Sequence, residues 1–189
     1  DAAAYATRPG MGWEGDHIFC RYNYFGDLGV PATAWNSNSL RHTLSHEVGH
    51  YFNLIHPWGP TNDPGLPENC YTDDNVEDTP PTIGTNGNAV GCPLTQATCT
   101  PEGELEGAGA ELDNVQNIMD YATCGLHFTK GQIDRMTASL NSYLGNRKNL
   151  WQPENLELTG TDDASFDDDN PYAQCKPKAE LPPVSLIAC

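Results

Sequence analysis

Apolar and polar residues alternate along this chain in three distinct ways. Between Gly15 and Gly26 the run HIFCRYNYF (His17 to Phe25) is crowded with β-branched and aromatic side chains, which predicts a well-buried strand. From Ser39 to Ile55 the rhythm changes. Leu40, Leu44, Val48, Phe52 and Ile55 recur at steps of four, four, four and three, the stripe of an amphipathic helix that Asn38 or Ser39 can cap. Thr129-Lys130-Gly131-Gln132 has the form of a capping box, and Ile133, Met136, Leu140 and Leu144 continue a second helix that Gly145-Asn146 can end. Between the two helices, from Pro57 to about Gln116, Gly, Pro, Asn, Asp and Thr dominate and periodicity is lost. Irregular stretches of that length are functional or tied down by cross-links. Beyond Arg147 the segments DDASFDDDNP and PKAELPP read as linker. The expected organisation is one domain over residues 1–147, followed by an acidic linker, or the start of another module, over residues 148–189.

Composition adds four constraints. With 189 residues and 38% hydrophobic content the chain can build a core, while 18 Gly and 15 Pro favour a loop-rich fold. A formal charge of −17 argues against nucleic acid and anionic membrane surfaces as partners, and it supplies oxygen ligands suited to calcium. No apolar run approaches the roughly 18 residues of a transmembrane helix, so membrane insertion is not expected. Seven cysteines are many for this length. Cys70, Cys92, Cys99 and Cys124 lie in turn-rich sequence and read as disulfide partners formed in an oxidising compartment, with three pairings open. No CxxC pair supports a zinc ribbon. Cys20, Cys175 and Cys189 are left over, and an odd total leaves at least one thiol free or paired outside the chain. Opening at Asp1 without a signal-peptide pattern, a disulfide-bearing chain is expected to be a mature or truncated secreted product.

The chemistry lies in the first helix, as His46-Glu47-Val48-Gly49-His50. Residues four apart share one helix face, so both imidazoles can reach the same ion. Zinc favours such nitrogen donors, and a catalytic site uses three protein ligands and a water. His56 lies six residues beyond His50, where a chain leaving the helix and turning back can supply the third ligand. That turn needs positive φ near Asn53, and Asn tolerates it best after Gly. Glu47, beside the first ligand, is placed to accept the proton of the zinc-acidified water and return it to a leaving amine. Other chemistries fail: there is no GxSxG elbow and no phosphate-binding Gly-rich loop. A Cys–His pair at Cys124 and His127 competes with a disulfide role for Cys124, and His17 and His42 read as surface or packing histidines.

The motifs HEVGHYFNLIHPWG, NVEDTPP, GCP, NIMDYATC and FTKGQIDRM together resemble the pappalysin family of metzincins, of the ulilysin-like kind, over about His17 to Arg147. That resemblance implies an α+β zincin fold with an active-site helix, a Met-turn at Asn117-Ile118-Met119-Asp120-Tyr121 and a C-terminal helix. It implies a secreted zinc endopeptidase acting on protein or peptide substrates. Met119 is then the apolar floor beneath the metal, and Tyr121 a stabiliser of the developing oxyanion. The resemblance further implies the pairs Cys70–Cys99 and Cys92–Cys124, and a structural calcium near Asp78 and Thr79.

Three departures shape the expectation. Asn53 stands where the metzincin motif has Gly. Only Ala122 and Thr123 separate Tyr121 from Cys124, so the basic-residue preference of relatives with acidic residues there is not carried over. Only 45 residues precede His46, so the lower subdomain is expected with the upper subdomain mostly absent. A neighbouring domain or chain would then complete the fold. The competing expectation is a zinc-binding but catalytically weak fragment, or a binding or structural module, because lost substrate positioning lowers turnover.

Overall fold

The structure is a computed structural model that describes residues 2–11, 15–24, 42–85, 92–100, 103, 110–159 and 161. The chain separates into two compact units, Asp1–Arg147 and Lys148–Cys189.

In the first unit, strands β1 (Ala4–Ala6) and β2 (Ile18–Cys20) pair antiparallel, with Tyr5 opposite Phe19. The strand is shorter than the HIFCRYNYF run predicts, because Tyr22–Tyr24 coils into a 3-10 turn. It is also half-exposed rather than well buried. Helix α1 (Thr43–Tyr51) packs on both strands, and Tyr5 and Phe19 stack on each other at 5.1 Å, 39% and 44% exposed.

Helix α1 is shorter than its apolar stripe predicts, and it turns a different face inward. Leu44 is exposed and Val48 only half-buried, whereas His46, Glu47 and Gly49 are buried. Leu40 and the expected caps Asn38 and Ser39 lie outside the described residues. The helix ends in a Schellman motif: Leu54 N–H bonds to Gly49 O and Asn53 N–H to His50 O, both at 2.9 Å. Asn53 takes the left-handed conformation that this motif demands, φ 75°. Gly49 is needed for a different reason. A Cβ there would come within 2.4 Å of Met119 Sδ, so only glycine lets α1 settle onto the Met119 turn.

Helix α2 (Lys130–Leu140) opens with both halves of the capping box between Thr129 and Gln132. It stops at Asn141, earlier than predicted; Gly145 and Asn146, with φ 61° and 57°, reverse the chain beyond it. Arg147, 1% exposed, then fastens the unit together. Its guanidinium donates to Tyr51 O at the end of α1, to Thr7 O beside β1, to Gly145 O and to both oxygens of Asp16, and it stacks over the Tyr51 ring at 3.6 Å.

Among the described residues from 57 to 128 there is no strand beyond isolated bridges. Cross-links and polar side chains take over. Disulfides join Cys70 to Cys99 and Cys92 to Cys124, the pairing that the family resemblance implies. Buried Asp113 accepts from Thr82 Oγ1, Gln96 Nε2, Thr98 N and Thr98 Oγ1, gathering two separate stretches around one carboxylate. Cys20 is a free thiol, and Cys175 and Cys189 lie outside the described residues.

In the second unit, Pro153–Thr159 forms a short helix, α3, with no buried side chain. Among the described residues no helix is long and apolar enough to cross a membrane.

Candidate metal centre

Helix geometry puts His46 and His50 one turn apart, with ring centroids 4.6 Å from each other. The turn at Asn53 sends the chain back, so that His56 lies 5.3 Å from His46 and 4.8 Å from His50. One nitrogen from each ring lies within 4.8 Å of the others, the one such metal-capable group among the described residues. His42, one turn earlier, is not part of it.

These residues fit a metal ion. Each Nδ1 faces a backbone carbonyl: His46 to Ile118 O at 2.9 Å, His50 to Leu54 O at 2.9 Å, and His56 to Thr61 O at 2.8 Å. A carbonyl only accepts, so each Nδ1 carries the proton and each Nε2 keeps its lone pair. His56 Nε2 is buried with no hydrogen-bond partner, an atom whose burial needs a ligand. Burial, followed by the neighbouring His50, holds His46 down to about 3. Burial, then His46 and His50, holds His56 down to about 2, and burial lowers His50 as well. All three rings are therefore neutral donors across the physiological range.

The other predicted residues are placed as follows. Glu47, 7% exposed, is pushed up to about 7 by burial. The Tyr121 ring lies 5.6 Å from His46 and 4.9 Å from His56; burial first, then the Glu47 charge, raises its phenol to about 12. Met119 is fully buried against Gly49. Asp78, where the resemblance implies calcium, accepts the Gly131 N–H at the start of α2.

Sequence reasoning missed the residues that hold these in place. Fully buried Gln132 ties the capping box to the Met119 turn: its Oε1 accepts from Asn117 Nδ2 at 2.9 Å and from Thr129 N, and Asn117 Oδ1 accepts from Met119 N at 2.9 Å. Trp58 stacks on His56 at 4.4 Å, with the ring planes 6° apart. The capping-box pattern hinted at Gln132, but nothing in the sequence paired it with Asn117.

A family model described as pregnancy-associated plasma protein-A, of the M43 peptidases, matches residues 1–141. The chain belongs to this family, the pappalysins. An extracellular metalloprotease of Neurospora crassa is 34% identical over 119 residues, covering 62% of this chain and 36% of the relative. Another from Podospora anserina is 32% identical over 130 residues, covering 67% of this chain and 37% of the relative. Among solved structures, mature mirolysin of Tannerella forsythia in complex with a cleaved peptide matches with a TM-score of 0.60 and 32% identity, over 84% of this chain and 54% of that one. This pappalysin chain thus has the expected α+β, metzincin-like fold, and it spans about a third of the curated relatives it matches.

Proposed function

We propose that this chain carries the active centre of a secreted zinc-dependent endopeptidase, with His46, His50 and His56 as zinc ligands, Glu47 as general base and Tyr121 as oxyanion donor. One observation carries the reading: three neutral imidazoles, each locked through Nδ1 to a carbonyl, converge with a buried, partnerless Nε2 among them. A zinc ion held there would acidify a water molecule and polarise a substrate carbonyl. The chain's own residues do the rest. Glu47, with its proton affinity raised by burial to about 7, takes a proton from the attacking water and delivers it to the leaving amine. Tyr121 stays protonated, pushed up to about 12, and donates a hydrogen bond to the negative charge that develops on the carbonyl oxygen. Met119, fully buried against Gly49, would form the apolar floor beneath the imidazoles.

The substrate class is a peptide. The extracellular naming of the fungal relatives, the cleaved peptide in the mirolysin complex and the two disulfides support a secreted protease. A structural calcium near Asp78 and Thr79 belongs to the same reading; a calcium-dependent rise in melting temperature that Asp78→Ala removes would support it, and no rise would contradict it.

The experiment is cleavage of a mixed quenched-peptide library by the chain with zinc and calcium present, beside a Glu47→Ala protein and a chelated sample. Cleavage that both controls abolish supports the reading. Zinc binding without cleavage contradicts it and leaves a zinc-binding module.

A further inference from the structure

We propose that Trp58 is a positioning residue for the metal centre, fixing the ring plane of His56 and the place of Tyr121. The inference rests on the metal reading above and concerns the one ligand that no helix holds. His46 and His50 inherit their directions from α1, whereas His56 sits on irregular backbone, in a tight turn that Gly59 N–H closes on His56 O at 2.8 Å. Something else must fix its χ angles. Trp58 lies flat against the His56 ring, centroids 4.4 Å apart and planes within 6°. The indole N–H donates to Thr61 O at 3.0 Å, and the same carbonyl takes the His56 Nδ1–H at 2.8 Å. One carbonyl thus sets the imidazole's tautomer and the indole's orientation together. Tyr121 closes the third side, meeting His56 edge-on at 4.9 Å and Trp58 edge-on at 4.9 Å.

Trp58 itself has no freedom to pass on. It is 0% exposed, and its backbone carbonyl accepts the Thr72 hydroxyl at 2.6 Å. Gly84, at φ +83°, lies against the indole so closely that a Cβ would come within 2.3 Å of Trp58 Cε3. The indole is therefore a fixed wall. Its flat side admits the His56 ring in one plane only, with Nε2 turned toward His46 and His50. Outer residues that orient a metal ligand are worth about 10- to 100-fold in metal affinity.

The test is zinc affinity of the full chain, read by competition with a chromophoric chelator. Wild type, Trp58→Phe and Trp58→Leu are compared, and the metal-free melting temperature of each is recorded alongside. Trp58→Leu is expected to weaken zinc binding about 10- to 100-fold. Trp58→Phe keeps an aromatic face against His56 and is expected to stay within about threefold. A folded Trp58→Leu protein that melts earlier yet binds zinc as tightly as wild type would show packing alone and overturn the proposal. So would a Trp58→Phe protein as weak as Trp58→Leu, since the shared ring face would then not be the cause. Should Trp58→Leu fail to fold, Trp58→Met takes its place in the same affinity comparison: zinc binding weakened about 10- to 100-fold supports the proposal, and wild-type affinity overturns it. Absence of zinc binding by wild type would instead sink the metal reading itself, an outcome distinct from all of these.

Discussion

The segment from Thr43 to His56 and the segment from Pro57 to Phe128 reach order by opposite routes. In the first, each conformational decision is local. The spacing of His46 and His50 fixes their shared face, and Asn53 at φ 75° turns the chain within one Schellman motif. Among its described residues the second has no regular strand, and much of its order comes from far along the chain. Asp113 gathers Thr82, Gln96 and Thr98, two disulfides close loops of 29 and 32 residues, and Gln132 reaches back to Asn117. The division of labour follows. The local segment supplies the imidazoles, Glu47 and the Leu54 O that holds His50, while the second supplies the other groups that orient them: Ile118 O, Thr61 O, Trp58, Met119 and Tyr121. Changes at the reactive side chains of the first segment should therefore strike chemistry while sparing architecture. Changes in the second should strike geometry and stability together.

The largest effect should come from the local segment. Glu47→Ala is expected to lower peptide cleavage by about 10²- to 10⁴-fold, with zinc stoichiometry and melting temperature little changed. An equal fall in zinc binding would erase the contrast. Next is Cys92→Ser combined with Cys124→Ser, which opens the non-local segment. It is expected to cost about 2–4 kcal/mol in denaturant unfolding and to weaken zinc binding as well. Unchanged zinc affinity in that double variant would mean that the orienting carbonyls do not depend on the staple.

A third effect depends on pH. Burial raises Asp120 from 3.8 to about 6, so its carboxyl binds protons more tightly folded than unfolded. A raised folded value means that the contribution is fully present below about pH 4 and is lost as pH rises through about 6. Asp120→Asn should flatten the stability profile across that window, by on the order of 3 kcal/mol at most. A slope identical to wild type would contradict the assignment. The smallest effect belongs to Asn53. Asn53→Ala should destabilise by about 1–2 kcal/mol because Ala resists the left-handed region, and Asn53→Gly should be close to neutral. If both variants melt like wild type, the Schellman turn does not govern where His56 lands.

The same contrast explains how much of the molecule was legible. His46, Glu47, His50, His56, Asn53 and the Thr129–Gln132 capping box are short-range patterns, and each lies where its spacing put it. The buried face of α1 was not legible. Periodicity marks Leu44 and Val48, but the helix buries His46, Glu47 and Gly49, because the centre itself occupies the interior. The strand after Gly15 was over-read for a related reason: in a two-stranded sheet only one face finds cover. Trp58 and the Asn117–Gln132 link were invisible. A tryptophan in a Pro- and Gly-rich stretch carries no sign of the ring it will face, and an Asn–Gln pair 15 residues apart carries no periodic signal.

The central claim, three imidazole nitrogens converging on one metal ion, is tested most directly by X-ray absorption at the zinc edge of the zinc-loaded chain. The account predicts three histidine nitrogens at about 2.0–2.1 Å with no sulfur in the coordination sphere, and loss of one nitrogen in His56→Ala. A sulfur scatterer at about 2.3 Å, which would place the free Cys20 thiol on the metal, or a His56→Ala spectrum identical to wild type, would contradict it.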